Sequence, residues 1–105
     1  MSRLEQLLRF VKEEPGDPFN LYAVAMEYLK LDSEKAVPFF ESLVKDHPHY
    51  LPTYYTFGKL MQQRKDFDVA RSLLEKGIEI ANSSRDVKAA GELRNALAEL
   101  EFELD

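Results

Sequence analysis

The chain contains no cysteine, few glycines and no long apolar run. Without cysteine there is no disulfide framework, no thiolate nucleophile and no cysteine-ligated zinc. The four glycines are scattered, so no glycine loop can cradle a phosphate. No apolar stretch approaches the ~20 residues of a membrane span. Arg3, Glu5, Arg9, Lys12 and Glu13 break up the first residues and leave no signal-peptide core. A soluble, cytoplasmic protein without a membrane partner is expected. Sustained alternation of apolar and polar residues is also missing, so strands are not expected.

What is present suits one compact domain of 105 residues. The 45% apolar content can cover one face of several helices, and the 31% charged content supplies the opposite faces. Net charge is −5, unevenly placed: Glu92, Glu99, Glu101, Glu103 and Asp105 against Arg94 leave −4 on the last stretch and −1 on the remainder. A nearly neutral body with an acidic end is a poor match to nucleic acid, so no nucleic-acid partner is expected. The acidic end reads as a solvated face of the last helix. Acids there oppose the helix macrodipole, so fraying is expected near Leu104.

Turn-forming clusters divide the chain: Pro15-Gly16-Asp17-Pro18, Leu31-Asp32-Ser33, His47-Pro48-His49, Arg64-Lys65-Asp66 and Asn82-Ser83-Ser84. Between them apolar residues recur at helical spacing, and the pattern predicts helices near 3–14, 18–31, 34–46, 51–64, 67–81 and 85–103. Ser2, Asp17, Ser33, Asp66 and Ser84 are the expected N-caps, each placing an oxygen near unsatisfied N–H groups. Pro38 falls beyond the first position of the third helix, where it removes a backbone hydrogen bond, so an irregular start is expected there.

The segments are related to one another by a fixed offset. Leu21, Val24, Ala25 and Tyr28 recur 33 residues later as Tyr54, Phe57, Gly58 and Met61. Ala36, Phe40, Leu43 and Pro48 recur 34 residues later as Ala70, Leu74, Gly77 and Asn82. One residue fewer in the turn around Asp32 accounts for the difference. The offset of 33 also relates Phe40 to Leu7, Pro48 to Pro15, Phe57 to Ala90 and Gly58 to Gly91. Helical periodicity alone would equally fit a four-helix bundle; matched small and large residues at one offset favour a stacked repeat.

These two octets resemble the tetratricopeptide repeat family, whose helix A carries a large residue, a large–small pair and an aromatic, and whose helix B carries small, aromatic and small residues before a proline. Asn82 in place of proline, Leu43 at a small site and Arg94 at an aromatic site depart from the pattern. The resemblance implies an all-α fold, a short right-handed superhelix of stacked antiparallel helix pairs with six helices. Residues 1–16 would form an N-terminal half-repeat, 17–49 and 50–83 two full repeats, and 84–105 a capping helix.

The resemblance further implies a non-catalytic protein-binding module whose A helices line a concave groove. By position that groove takes Phe19, Tyr22, Met26 and Lys30 from the second helix, and Tyr55, Lys59, Gln62 and Gln63 from the fourth. Lys88, Glu92 and Asn95 come from the sixth. Rings beside amides and a lysine suit an extended peptide; the alternative is that Phe19, Tyr22 and Tyr55 simply cover neighbouring helices. Some family members clamp a terminal carboxylate with lysine, arginine and asparagine. Ala23, Met26 and Thr56 depart from that set, and such a clamp is not expected.

No cofactor, metal or catalytic group is implied. His47 and His49 lie in a turn without convergent ligands, and Ser83-Ser84 reads as a turn. Helix one is unusual: Leu4 and Leu8 stand where later B helices carry Val37 or Arg71, and Glu41 or Glu75. With Val11 they make a second apolar stripe beside Leu7 and Phe10. It would serve either as a self-association face, making a homodimer, or as packing for a tilted terminal helix.

Overall fold

A computed structural model describes residues 1–105 and consists of six α-helices: α1 (Arg3–Glu13), α2 (Pro18–Leu31), α3 (Ser33–Asp46), α4 (Pro52–Gln63), α5 (Phe67–Ser83) and α6 (Val87–Leu104). Each expected helix is present, with most ends within a residue or two of the periodicity. The fold is all-α. No helix is long and apolar enough to cross a membrane. The chain divides into two compact units, Met1–Tyr50 and Leu51–Asp105.

In the first unit α1 starts on Ser2, whose hydroxyl oxygen accepts from the Glu5 N–H at 3.1 Å. Asp17 caps α2 through the Phe19 N–H at 2.9 Å, with Pro18 in the first turn, where its missing N–H costs nothing. Asp32 does two jobs. Its backbone N–H closes α2 on the Tyr28 carbonyl at 2.7 Å, and its carboxylate opens α3 by accepting from the Glu34 N–H at 3.2 Å. One residue serving as both C-cap and N-cap is why this turn is a residue shorter than its counterpart. It also corrects the expected cap at Ser33, which is already the first helical residue. The third helix runs uninterrupted through Pro38, against the irregular start expected of it. Pro38 and Glu34, whose carbonyl loses its partner, are both exposed, so water can satisfy the freed group.

α1 runs antiparallel to α2, with Arg3 beside Glu27 and the Phe10 carbonyl beside Asn20. α3 packs along α2, with Tyr28 stacked on Phe39 at 5.5 Å between centroids and Tyr22 edge-on to Phe40 at 6.3 Å. Val24, Ala25, Ala36, Phe40 and Leu43 are fully buried between them.

The second unit is built around α5, which packs on both α4 and α6. Small residues set the spacing. A methyl group added at Gly58 would lie 2.8 Å from Leu74 Cδ2; one at Gly77 would lie 2.7 Å from Tyr54 Cβ and 3.1 Å from the Leu93 methyls. These contacts make α4 and α5 antiparallel and hold α5 close to both neighbours. Burying Tyr54, Leu74 and Leu100 fills the space so created.

Two equivalent turns end α4 and α5. Lys65 and Arg85 adopt left-handed conformations, with φ of 63° and 59°. The N–H groups of Asp66 and Asp86 reach back to the carbonyls of Met61 and Ala81, both at 2.9 Å. Those of Lys65 and Arg85 bond to Gln62 and Asn82 at 2.9 and 3.2 Å. These are Schellman closures made without glycine. The second one moves the start of α6 to Val87 and its cap to Asp86, which accepts from the Ala89 N–H at 3.0 Å. Ser84, the expected cap, closes α5 instead, its hydroxyl donating to the Ile80 carbonyl at 2.9 Å. Asp66 holds the cap position of α5 without a side-chain bond.

Three outcomes follow for stability, each readable by urea or thermal unfolding. Gly77→Ala destabilises by about 1–3 kcal/mol and Gly58→Ala by less, because the Leu74 methyl can shift where the Tyr54 Cβ cannot. Gly91→Ala, with nothing within 4 Å of the new methyl, stabilises by up to ~1 kcal/mol. Lys65→Gly and Arg85→Gly each stabilise, by roughly 0.5–1 kcal/mol, by removing the left-handed penalty of a side chain. Burial raises the Tyr54 phenol above its ordinary value of 10.0. The fold therefore favours the neutral ring; this contribution is complete below pH 10.0 and is lost as pH climbs through the folded value. Tyrosinate absorbance should show a late-titrating group that Tyr54→Phe removes.

Candidate functional site

The residues expected to line a groove fall on both units. In the first, Tyr22 is half-buried. Its ring meets Phe40 and, at 5.7 Å, Tyr50. Burial and the facing Tyr22 and Asp17 push the Tyr50 phenol above its ordinary value. Tyr22 is thus partly committed to packing the end of α3. Met26 and Lys30 continue along α2 toward solvent. Lys30 shares the Glu27 carboxylate with Arg3, each at 3.3 Å, and the Glu27 side chain is largely buried between them.

Phe19 does not stand with Tyr22. At the start of α2 it joins Phe10 in a cleft of about 490 Å³ completed by Arg3, Leu7, Glu13, Glu14 and Asn20. Both rings are exposed, Phe10 at 49% and Phe19 at 64%. Leu4, Leu8 and Val11 are each part-buried, so the exposed large apolar side chain of α1 is Phe10, which the spacing had paired with the inward-facing Leu7.

In the second unit Lys59 and Gln62 do come together, and with unexpected partners. The Lys59 ammonium donates to Glu99 Oε2 at 3.1 Å and the Gln62 amide to Glu103 Oε1 at 2.8 Å. Both pairs rise together along the two helices, so α6 runs parallel to α4 and lays its last two turns against it. Lys59, Gln62, Gln63, Lys65 and Glu103 enclose a polar cleft of about 260 Å³. The Gln62 amide oxygen is buried there without a hydrogen-bond partner. Tyr55 stands exposed on α4.

Lys88, Glu92 and Asn95 are exposed on α6. Position matching overlooked Glu99 and Glu103, though they continue the same stripe (88, 92, 95, 99, 103) at helical spacing. Extending that stripe by two turns would have found them. Arg94, off the stripe, donates to the Asn82 side chain at 3.0 Å across the α5–α6 turn.

Chemically this surface offers two lysines, two amides and two carboxylates, partly paired, beside an exposed tyrosine. It can donate to and accept from an extended backbone. The exposed Lys59–Glu99 pair contributes only about 0–1 kcal/mol and can be exchanged for another carboxylate without unfolding the unit.

No family model and no curated protein matches the sequence. Solved structures do. The crystal structure of a tetratricopeptide repeat domain protein from Salinibacter ruber is 40% identical, with a TM-score of 0.76, over 81% of this chain and 96% of that one. A solution structure of a tetratricopeptide repeat domain protein from the same organism is 39% identical with a TM-score of 0.79, over 84% and 90%. A protein from Bordetella parapertussis shares the fold at 22% identity, with a TM-score of 0.82 over 98% and 90% of the two chains. The repeat in the sequence, the small-residue packing and this likeness agree: the chain belongs to the tetratricopeptide repeat family.

Proposed function

We propose that the chain is a non-catalytic interaction module that binds an extended segment of another protein on the α4–α6 surface. One observation carries this reading: Lys59 and Gln62, at positions the repeat assigns to ligand contact, are held by Glu99 and Glu103 in exchangeable pairs around a cleft with an unsatisfied amide oxygen. Such a surface is poised to trade internal partners for external ones. A segment presenting carboxylates to Lys59, a backbone carbonyl to the Gln62 NH2 group, and backbone N–H groups to the Gln62 amide oxygen and the released carboxylates replaces each bond it breaks, and Tyr55 adds apolar area. The α2 stripe of Tyr22, Met26 and Lys30 is a second surface of the same kind, with Phe19 belonging instead to the α1–α2 cleft.

The test is affinity capture from the source cell with the wild-type chain and with Tyr55→Ala/Lys59→Ala/Gln63→Ala. These side chains make little of the core, so the variant should stay folded, with its melting temperature lowered by less than about 10 °C. Recovery of bound protein should fall by about tenfold or more, the loss of ~1.4 kcal/mol of binding. Undiminished capture by the folded triple variant would place binding elsewhere.

A further inference from the structure

The outer faces of α1 and α6 match one another as the faces of a helix pair within the repeat do. α6 repeats α4 at the offset of 33: Tyr54 returns as Val87 and Gly58 as Gly91. α1 repeats the second helix of each pair: Leu7 stands for Phe40 and Leu74, and Phe10 for Leu43 and Gly77. In the second unit Gly58 receives the Leu74 side chain, and Gly77 lies against Tyr54. On α6 the equivalent socket is empty. A methyl at Gly91 would meet nothing within 4 Å, and Val87 is 82% exposed. On α1 the equivalent projection is Phe10, half-exposed.

The sizes compensate at these positions. Tyr54 opposes a glycine in the second repeat; Leu21 and Leu43 are the intermediate pair of the first; Val87 and Phe10 would be a small residue opposite a large one. Leu7, the counterpart of Leu74, is already buried in its own chain, so Phe10 is the α1 side chain left to enter the space beside Gly91 and Val87. Packing of this kind rewards conserved total volume rather than conserved residues.

Charge points the same way. A helix pair of this type is antiparallel, so the C-terminal end of α6 would lie along the N-terminal end of α1. The α6 end carries the exposed Glu101 and Asp105, acids that oppose their own helix dipole. The α1 start offers the positive end of a helix and Arg3, whose side chain stays 66% exposed while it pairs with Glu27. The acids that are misplaced within one chain are well placed against the next.

We propose that the partner of both faces is a second copy of this chain, joined head to tail, with α6 of one copy packed on α1 of the next to complete a helix pair. The interface is heterologous, joining a different face of each copy.

Sedimentation velocity on the 105-residue chain, from about 10 µM to about 1 mM, should show a mass that rises with concentration above that of the monomer. Gly91→Arg blocks the socket and Phe10→Asp removes the projection. Each variant alone should remain monomeric, while an equal mixture should form a one-to-one dimer, because each retains the end the other lacks. Circular dichroism confirms folding; Val87→Asp and Phe10→Gln serve as second variants at the two ends. A wild type monomeric throughout, a Gly91→Arg variant that still self-associates, or a mixture that stays monomeric would each overturn the proposal.

Discussion

The second unit depends on how closely α5 can approach its neighbours at Gly77. A side chain there would strike Tyr54 on one flank and Leu93 on the other. Its absence lets one helix serve as the common support for α4 and α6. That support fixes the rotation of both outer helices, and their polar stripes then fall side by side. Lys59 meeting Glu99, and Gln62 meeting Glu103, is a consequence of apolar packing rather than its cause. Exposed pairs of this kind contribute too little to position a helix.

The turns do the remaining positioning. Asp32 ends one helix and starts the next, while Lys65 and Arg85 accept left-handed strain so that Asp66 and Asp86 can bond backwards to the preceding helix. Short, fully bonded connections leave the successive helices little freedom of direction. A surface on α4 and α6 can therefore be polar and exchangeable while its backbone stays fixed, which is what the proposed recognition of an extended segment requires.

Much of this was legible in the residues. The offsets of 33 and 34 located the helix pairs, and the small residues Gly58 and Gly77 marked the closest approaches. The short turn at Asp32 showed as a one-residue difference before its double capping role could be seen. What escaped has definite physical reasons. Arg85 gives no sign of a left-handed turn, since that conformation usually announces itself through glycine or asparagine, so the residues alone point to Ser84 as the cap of α6. Pro38 looked disruptive because the spacing could not show that its turn faces water. The rotation of α1, which turns Phe10 outward and leaves Leu4, Leu8 and Val11 part-buried, is set by contact with α2 and not by spacing within α1. Glu99 and Glu103 were visible as acids but not as partners, because their pairing depends on the parallel course of α6 along α4.

Everything proposed for the surface rests on that close contact of α5 with both its neighbours. It can be observed directly in solution by nuclear Overhauser effects from the α protons of Gly77. Strong cross-peaks to the Tyr54 β protons and to the Leu93 methyls, in the same folded chain, are the predicted result. Cross-peaks to one neighbour without the other, or to neither, would contradict the packing from which the surface is derived.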